Sequence, residues 1–174
     1  MTSAVIVSTA RTPIGKAYRG AFNDTESPVL VGHVIRAALA KAGVAGHEVD
    51  DVILGIAAQQ GNQGYNLGRL CAYTAGLPDS VGGMAIDRMC ASGLMAIATA
   101  AKGIMTGEMD IAVAGGLESI TLVQNKHKNS YRAQSKSVLE AMPTAYIQMI
   151  ETAEIVSRRY GISRAAQDEY SLRS

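Results

Sequence analysis

The stretch Gly83-Met84-Ala85-Ile86-Asp87-Arg88-Met89-Cys90-Ala91-Ser92-Gly93-Leu94, followed by an alanine-rich run and then by Ile111-Ala112-Val113-Ala114-Gly115-Gly116, decides the fold. Met84 to Ile86 reads as a buried strand and Asp87 to Cys90 as a tight turn. Ala91 to Thr106 reads as a helix and Ile111 to Ala114 as a second buried strand. The turn sets the Cys90 thiol at the start of a helix. Unpaired backbone N–H groups and the positive end of the helix dipole favour negative charge there, the setting in which a thiol becomes a nucleophile.

The helix after Cys90 has almost no polar face. Leu94, Met95, Ala96, Ile97, Ala98, Ala100, Ala101, Ile104 and Met105 surround it. A helix apolar on every side is buried on every side, so a sheet on one side and a further layer on the other are expected.

Upstream the same rhythm holds. Ala4 to Ser8 is a short apolar run and an expected first strand. Arg11-Thr12-Pro13-Ile14-Gly15-Lys16 breaks the pattern as a loop. Ser27-Pro28 opens a helix, with Ser27 expected at the N-cap, and Gly43 closes it. Val52 to Ile56 is the next strand. Strand, helix and strand in that order point to a parallel sheet. Gln59 to Gly68 is then a polar loop beyond the C-terminal end of a strand, the edge at which α/β sheets bind ligands. Asn66 to Ala75 reads as a short helix closed by Gly76 and Pro78.

Downstream the character changes. Glu118 to Ala145 is polar and has no steady period, so it reads as an excursion from the α/β core. Tyr146 to Tyr160 reads as a helix stopped by Gly161, and Ser163 caps another that runs to Arg173. The final helical pattern meets no breaker, which leads to the expectation of a truncated chain. The expected division is a half-domain over 1–117 and the start of a second domain over 118–174.

With 174 residues, 48% hydrophobic and 18% charged, the chain has enough apolar material for a sizeable core. Its formal net charge of +1 gives no electrostatic case for nucleic acid or an anionic membrane. No apolar run is expected to cross a bilayer. Two cysteines make no disulfide framework, and Met1 to Val7 carries no export signal, so a reducing, cytoplasmic location is expected.

Cys90 is the candidate for chemistry, against the ordinary role of a free cysteine as a small buried hydrophobe. Cys71, flanked by Leu70 and Ala72, reads as core filler. A nucleophilic cysteine usually has a base beside it, but His33, His47 and His127 fall on segments with no evident relation to the Cys90 turn. Lys126, Lys128, Arg132 and Lys136 read as a solvated loop rather than a phosphate site. Neither metal-ligand spacing nor a phosphate-binding glycine loop occurs.

Asp87-Arg88-Met89-Cys90-Ala91-Ser92-Gly93-Leu94 resembles the thiolase active-site signature N-R-x-C-x-S-G-L. The likeness continues along the chain. Arg11 to Gly15 resembles the thiolase N-terminal loop. Asn66 to Arg69 and Ala75 to Pro78 resemble its N-x-x-R and A-G-L-P elements. Ala114 to Ser119 resembles its A-G-G-x-E-S turn. Met149 to Ala153 and Gln167 to Tyr170 fall where the helices of its loop domain begin and end.

The resemblance implies a mixed sheet with helices on both faces, the N-terminal half of a layered α-β-α-β-α fold, followed by part of the coenzyme A-binding loop domain. It implies cleavage of a 3-oxoacyl-CoA by coenzyme A into acetyl-CoA and a shortened acyl-CoA, or the reverse Claisen condensation. Coenzyme A and acetyl-CoA are then substrates, and no cofactor is tightly bound. Cys90 takes the role of acyl-carrying nucleophile with its backbone N–H in an oxyanion hole, and Met149 lines the acyl and pantetheine channel. The family's catalytic histidine and second cysteine belong to a C-terminal half, so this chain alone is expected to be inactive. A homodimer or homotetramer, paired through the strand around Met84 to Ile86, is also implied. Asp87, Gln148 and Ile150 depart from the Asn, His and Gly common in the family. A condensing synthase of the same fold and a non-catalytic acyl-CoA-binding or assembly protein are the competing readings.

Overall fold

The computed structural model describes residues 3–174. The chain divides into two compact units, one reaching to Lys128 and the other Asn129–Ser174. The first is built on three parallel strands, β1 (Asp51–Gly55), β2 (Gly82–Ile86) and β3 (Ala112–Gly116), in the order β2-β1-β3. Gly55 lies level with Ile86 on one side and with Gly116 on the other, so all three strands end at the same edge.

β1 is buried on both faces, and its residues alternate between two cores as a strand's period of two dictates. Val52 and Leu54 pack with α1 (Ser27–Ala42) and α2 (Leu67–Ala75), against Val31, Leu67, Cys71 and Ala72. Ile53 faces the other way, onto Ala96 and Ala100 of α3 (Ser92–Thr106), with Met84, Ile86, Ala112 and Ala114 beside it. Ile53 has no solvent exposure, and its burial contributes about 2–3 kcal/mol. Helices therefore cover both faces of the sheet.

Local signals place the helix ends. Pro28 lies in the first turn of α1, where its missing N–H costs nothing. Glu26, not Ser27, occupies the N-cap. The Ser27 backbone N–H is instead taken by Asn62 Oδ1 at 2.6 Å, drawing the helix start onto the loop after β1. Gly107 closes α3 with φ 79°, a conformation that any Cβ would strain.

The expected first strand at Ala4 to Ser8 does not form. Residues 4–8 belong to no sheet, and Val5, Ile6 and Val7 are all more than 70% exposed. An apolar run makes a strand only when another strand accepts its hydrogen bonds, and among the described residues none does.

The expected absence of a membrane-length apolar run also needs correction. Met89–Thr106 is long and apolar enough to cross a bilayer by length and composition alone. Ala96, Ala100 and Gly103 seat this stretch on the sheet as α3. Its other side carries Leu94, Ile97 and Met105, all exposed in this chain.

The first unit reaches beyond Leu117 because the following turn is tied back to it. α4 (Ile120–Val123) buries Val123. The Tyr18 backbone N–H donates to Thr121 Oγ1 at 2.9 Å, and the Tyr18 hydroxyl donates to Gln124 O at 2.8 Å. The second unit holds α5 (Lys136–Ala141), α6 (Met149–Tyr160) and α7 (Arg164–Arg173). Ser163 caps α7, its hydroxyl accepting the Ala166 N–H at 3.2 Å. Short α4 and α5 leave no periodic trace long enough to read in a polar segment.

Candidate active site

The shared C-terminal edge of the strands gathers three connections: the Asp87–Ala91 turn after β2, the Ala57–Gly64 loop after β1, and the Leu117–Ser119 turn after β3. Cys90 stands on the first of these, exposed. Among the described residues its backbone N–H has no hydrogen-bond acceptor. Cys71 is the opposite case. It is fully buried in α2 among Val52, Leu67 and Ala75, and burial pushes its thiol up to about 12, so it stays a neutral core residue.

The turn that presents Cys90 is held in an unfavourable backbone conformation. Met89 has φ 49°, the left-handed region that costs a side-chain-bearing residue about 1–2 kcal/mol. Three hydrogen bonds keep it there. Asp87 Oδ1 accepts the Met89 N–H at 2.7 Å, the Ser92 hydroxyl donates to Met89 O at 2.6 Å, and Ser92 Oγ accepts the Arg88 N–H at 2.8 Å. Ser92 is 3% exposed.

α3 approaches the sheet so closely that only glycine fits beneath its first residues. A Cβ on Gly55 would stand 2.1 Å from the Ser92 carbonyl carbon. The start of α3 therefore sits directly over the ends of β1 and β3. The other two connections are joined by Gln63, which has no solvent exposure. Its amide donates to Glu118 Oε1 at 2.5 Å and to Ala58 O at 2.9 Å, and its carbonyl accepts the Ser119 N–H. Glu118 Oε2 takes the Ala57 N–H at 3.0 Å. The sequence offered no sign of Gln63, because the two partners that join it to the turn after β3 lie 55 and 56 residues away.

Asn66 and Arg69 do architectural work. Asn66 Nδ2 donates to Gly83 O at 2.7 Å; Arg69 reaches Val81 O and Asp79 O and stacks over Tyr73 at 4.4 Å. Together they fasten α2 to β2.

His33 is exposed on α1, His47 is exposed before β1 at the opposite end of the sheet from Cys90, and His127 is exposed beyond α4. None makes a hydrogen bond to the Cys90 turn. Met149 is the first residue of α6, in the second unit, and is 70% exposed. Lys126 and Lys128 lie in the first unit and Arg132 and Lys136 in the second, all exposed. Among the described residues, no group of three or more histidine, cysteine or acidic side chains is placed to hold a metal.

The family model described as thiolase, N-terminal domain, matches residues 4–174. The chain is 39% identical over 174 residues to a 3-ketoacyl-CoA thiolase of Bacillus subtilis, covering 100% of this chain and 44% of that protein. It is 39% identical over 184 residues to an acetyl-CoA acetyltransferase of Cupriavidus necator, covering 46% of it. The crystal structure of the Bacillus anthracis acetyl-CoA acetyltransferase matches with a TM-score of 0.83 at 38% identity, over 100% of this chain and 46% of that one. The chain thus spans less than half the length of the relatives it matches.

Proposed function

The chain belongs to the thiolase family, and on that premise we propose that it supplies the acyl-carrying half of a thiolase active site, with Cys90 as the nucleophile. The observation that carries this reading is the presentation of Cys90: an exposed thiol on a left-handed turn at the C-terminal sheet edge, beside its own unpaired backbone N–H.

The chemistry follows from that placement. The Cys90 sulfur attacks the 3-keto carbon of a 3-oxoacyl-CoA, and the carbonyl oxygen becomes an oxyanion. The Cys90 N–H donates to it, stabilising charge that exists only after attack. The carbon–carbon bond then breaks, leaving the acyl group on sulfur as a thioester. The acetyl-CoA carbanion takes up a proton. Attack by coenzyme A on the thioester releases the shortened acyl-CoA and returns the Cys90 thiolate. Run backwards, the same steps condense two acyl-CoA molecules. Met149, exposed at the start of α6, serves the acyl and pantetheine channel in this reading.

Both directions require proton transfer, which these residues do not provide beside Cys90. The resemblance assigns that work to a histidine and a second cysteine of the C-terminal half. These 174 residues alone therefore carry a nucleophile without its acid and base, and do not turn over. The exposed Leu94, Ile97 and Met105 on α3 support the same reading, since they form an apolar face that a further layer would cover.

The test is acyl trapping. The complete protein is mixed with acetyl-CoA, and Cys90-containing peptides are weighed by mass spectrometry. An acetyl adduct is expected on Cys90 and on no other residue, and none in the Cys90→Ala variant. An intact protein that hydrolyses or transfers acyl groups without a Cys90 adduct overturns the assignment. One that binds acyl-CoA without ever forming an adduct favours a non-catalytic binding role.

A further inference from the structure

We propose that Asp87 and Ser92 are positioning residues for Cys90, holding the strained Met89 peptide so that the thiol and its backbone N–H face the same approaching carbonyl. The inference deepens the assignment of Cys90 as nucleophile and rests on it. Neither side chain touches the substrate in this scheme; both act through the backbone.

Met89 at φ 49° is a conformation that a chain relaxes from unless its surroundings fix it. Two peptide groups flank that residue, and both are held. Asp87 Oδ1 takes the Met89 N–H at 2.7 Å from the N-terminal side. Ser92 reaches back from the first turn of α3 and donates to Met89 O at 2.6 Å, while its oxygen accepts the Arg88 N–H at 2.8 Å. A hydroxyl has one proton to give, so the longer approach of Ser92 Oγ to Asp87 Oδ1, 3.5 Å, adds little.

The held peptide is the one that leads into Cys90. The Met89 carbonyl and the Cys90 N–H belong to the same amide plane, so fixing the carbonyl fixes the direction of the N–H. With its carbonyl committed to Ser92, the amide turns its N–H away from that side chain, and the N–H has no acceptor among the described residues. Loss of either clamp lets Met89 relax to negative φ, which rotates this amide and swings the thiol with it. The base of the turn does not give way to absorb the change. Ser92 is 3% exposed and rests on Gly55, where there is no room for a Cβ.

Asp87 is exposed, so its substitution tests the clamp without opening the core. The variants are Asp87→Ala, which loses the acceptor, and Asp87→Asn, which keeps an amide oxygen in its place. Two rates are read in the complete protein: Cys90 alkylation by iodoacetamide, followed by peptide mapping, and acyl transfer from acetyl-CoA resolved into kcat and KM. Asp87→Ala is expected to slow both by about tenfold, the equivalent of one hydrogen bond to a charged group, with KM and the melting temperature little changed. Asp87→Asn is expected to recover most of the loss in both. Ser92→Ala is expected to behave as Asp87→Ala does, at some cost in stability. Equal rates in Asp87→Ala and wild type overturn the proposal. So does a loss that Asp87→Asn fails to rescue, or a loss that merely follows the melting temperature. Alkylation needs no acyl chemistry, so if acyl transfer is absent in the wild type the nucleophile assignment fails while the alkylation series still decides the clamp.

Discussion

Gln63 and Glu118 meet at 2.5 Å, Nε2 to Oε1, across 55 residues of sequence. This contact joins the loop after β1 to the turn after β3 and fixes two of the three connections at the sheet edge where Cys90 stands. Gln63 itself has no solvent exposure, so its amide depends on these protein partners, while Glu118 on the far side of the contact is exposed.

Gln63→Ala is therefore expected to destabilise the chain by about 2 kcal/mol, through loss of the hydrogen bonds its side chain makes to Ala58, Glu118 and Ser119. Glu118→Gln keeps an acceptor for the Ala57 N–H and is expected to cost less. Urea unfolding followed by circular dichroism measures both. A Gln63→Ala midpoint equal to that of the wild type would mean that solvent replaces the network freely.

The two thiols are expected to separate cleanly. Burial pushes Cys71 up to about 12, while Cys90 is exposed. In the native chain, an aromatic disulfide reagent near neutral pH is expected to titrate one thiol and to map to Cys90. The second is expected to react only after denaturant is added. Two equivalents released at similar rates from the folded chain would contradict the placement of Cys71 in the core.

Asp50 and Asp51 are neighbours that respond to pH in opposite directions. Hydrogen bonds from the Ile111 N–H and then the Asp110 N–H hold the Asp50 carboxyl below its usual 3.8. Its folded value lies below its unfolded one, so its contribution is complete above the usual carboxylate range and is lost as pH falls through the depressed folded value. Asp51 is raised, chiefly by burial. Among the described residues its Oδ1 has no hydrogen-bond partner. Folding disfavours its charged form, so Asp51 costs stability at neutral pH, and the cost fades as pH drops through the raised value toward the unfolded one. Asp50→Ala is accordingly expected to lower the unfolding midpoint at pH 7, by a difference that narrows below about pH 4. Asp51→Asn is expected to raise the midpoint at pH 7, with its advantage shrinking in acid. Midpoints measured from pH 7 to pH 3 check both, and shifts of the same sign would refute the opposition.

Helix positions were legible in the residues because their signals are local. Pro28, Gly43, Gly76, Ser163 and Gly161 each act within a turn of themselves, and the helices they bound lie within a few residues of where the pattern puts them. β1, β2 and β3 were legible because buried parallel strands read as short apolar runs between breakers. The same rule failed at Ala4 to Ser8. Nothing in Val5-Ile6-Val7 distinguishes a strand with a partner from one without, since pairing depends on residues distant in sequence.

The sequence by itself determined the α/β class, the parallel order of elements and the place of Cys90 at a strand–helix junction, all of which follow from period, breakers and the run of motifs. Only the tertiary structure decided how that cysteine is presented. The left-handed Met89, the clamp of Asp87 and Ser92, the glycine floor at Gly55 and the brace of Gln63 to Glu118 depend on distances of a few ångströms between groups that the chain must first bring together.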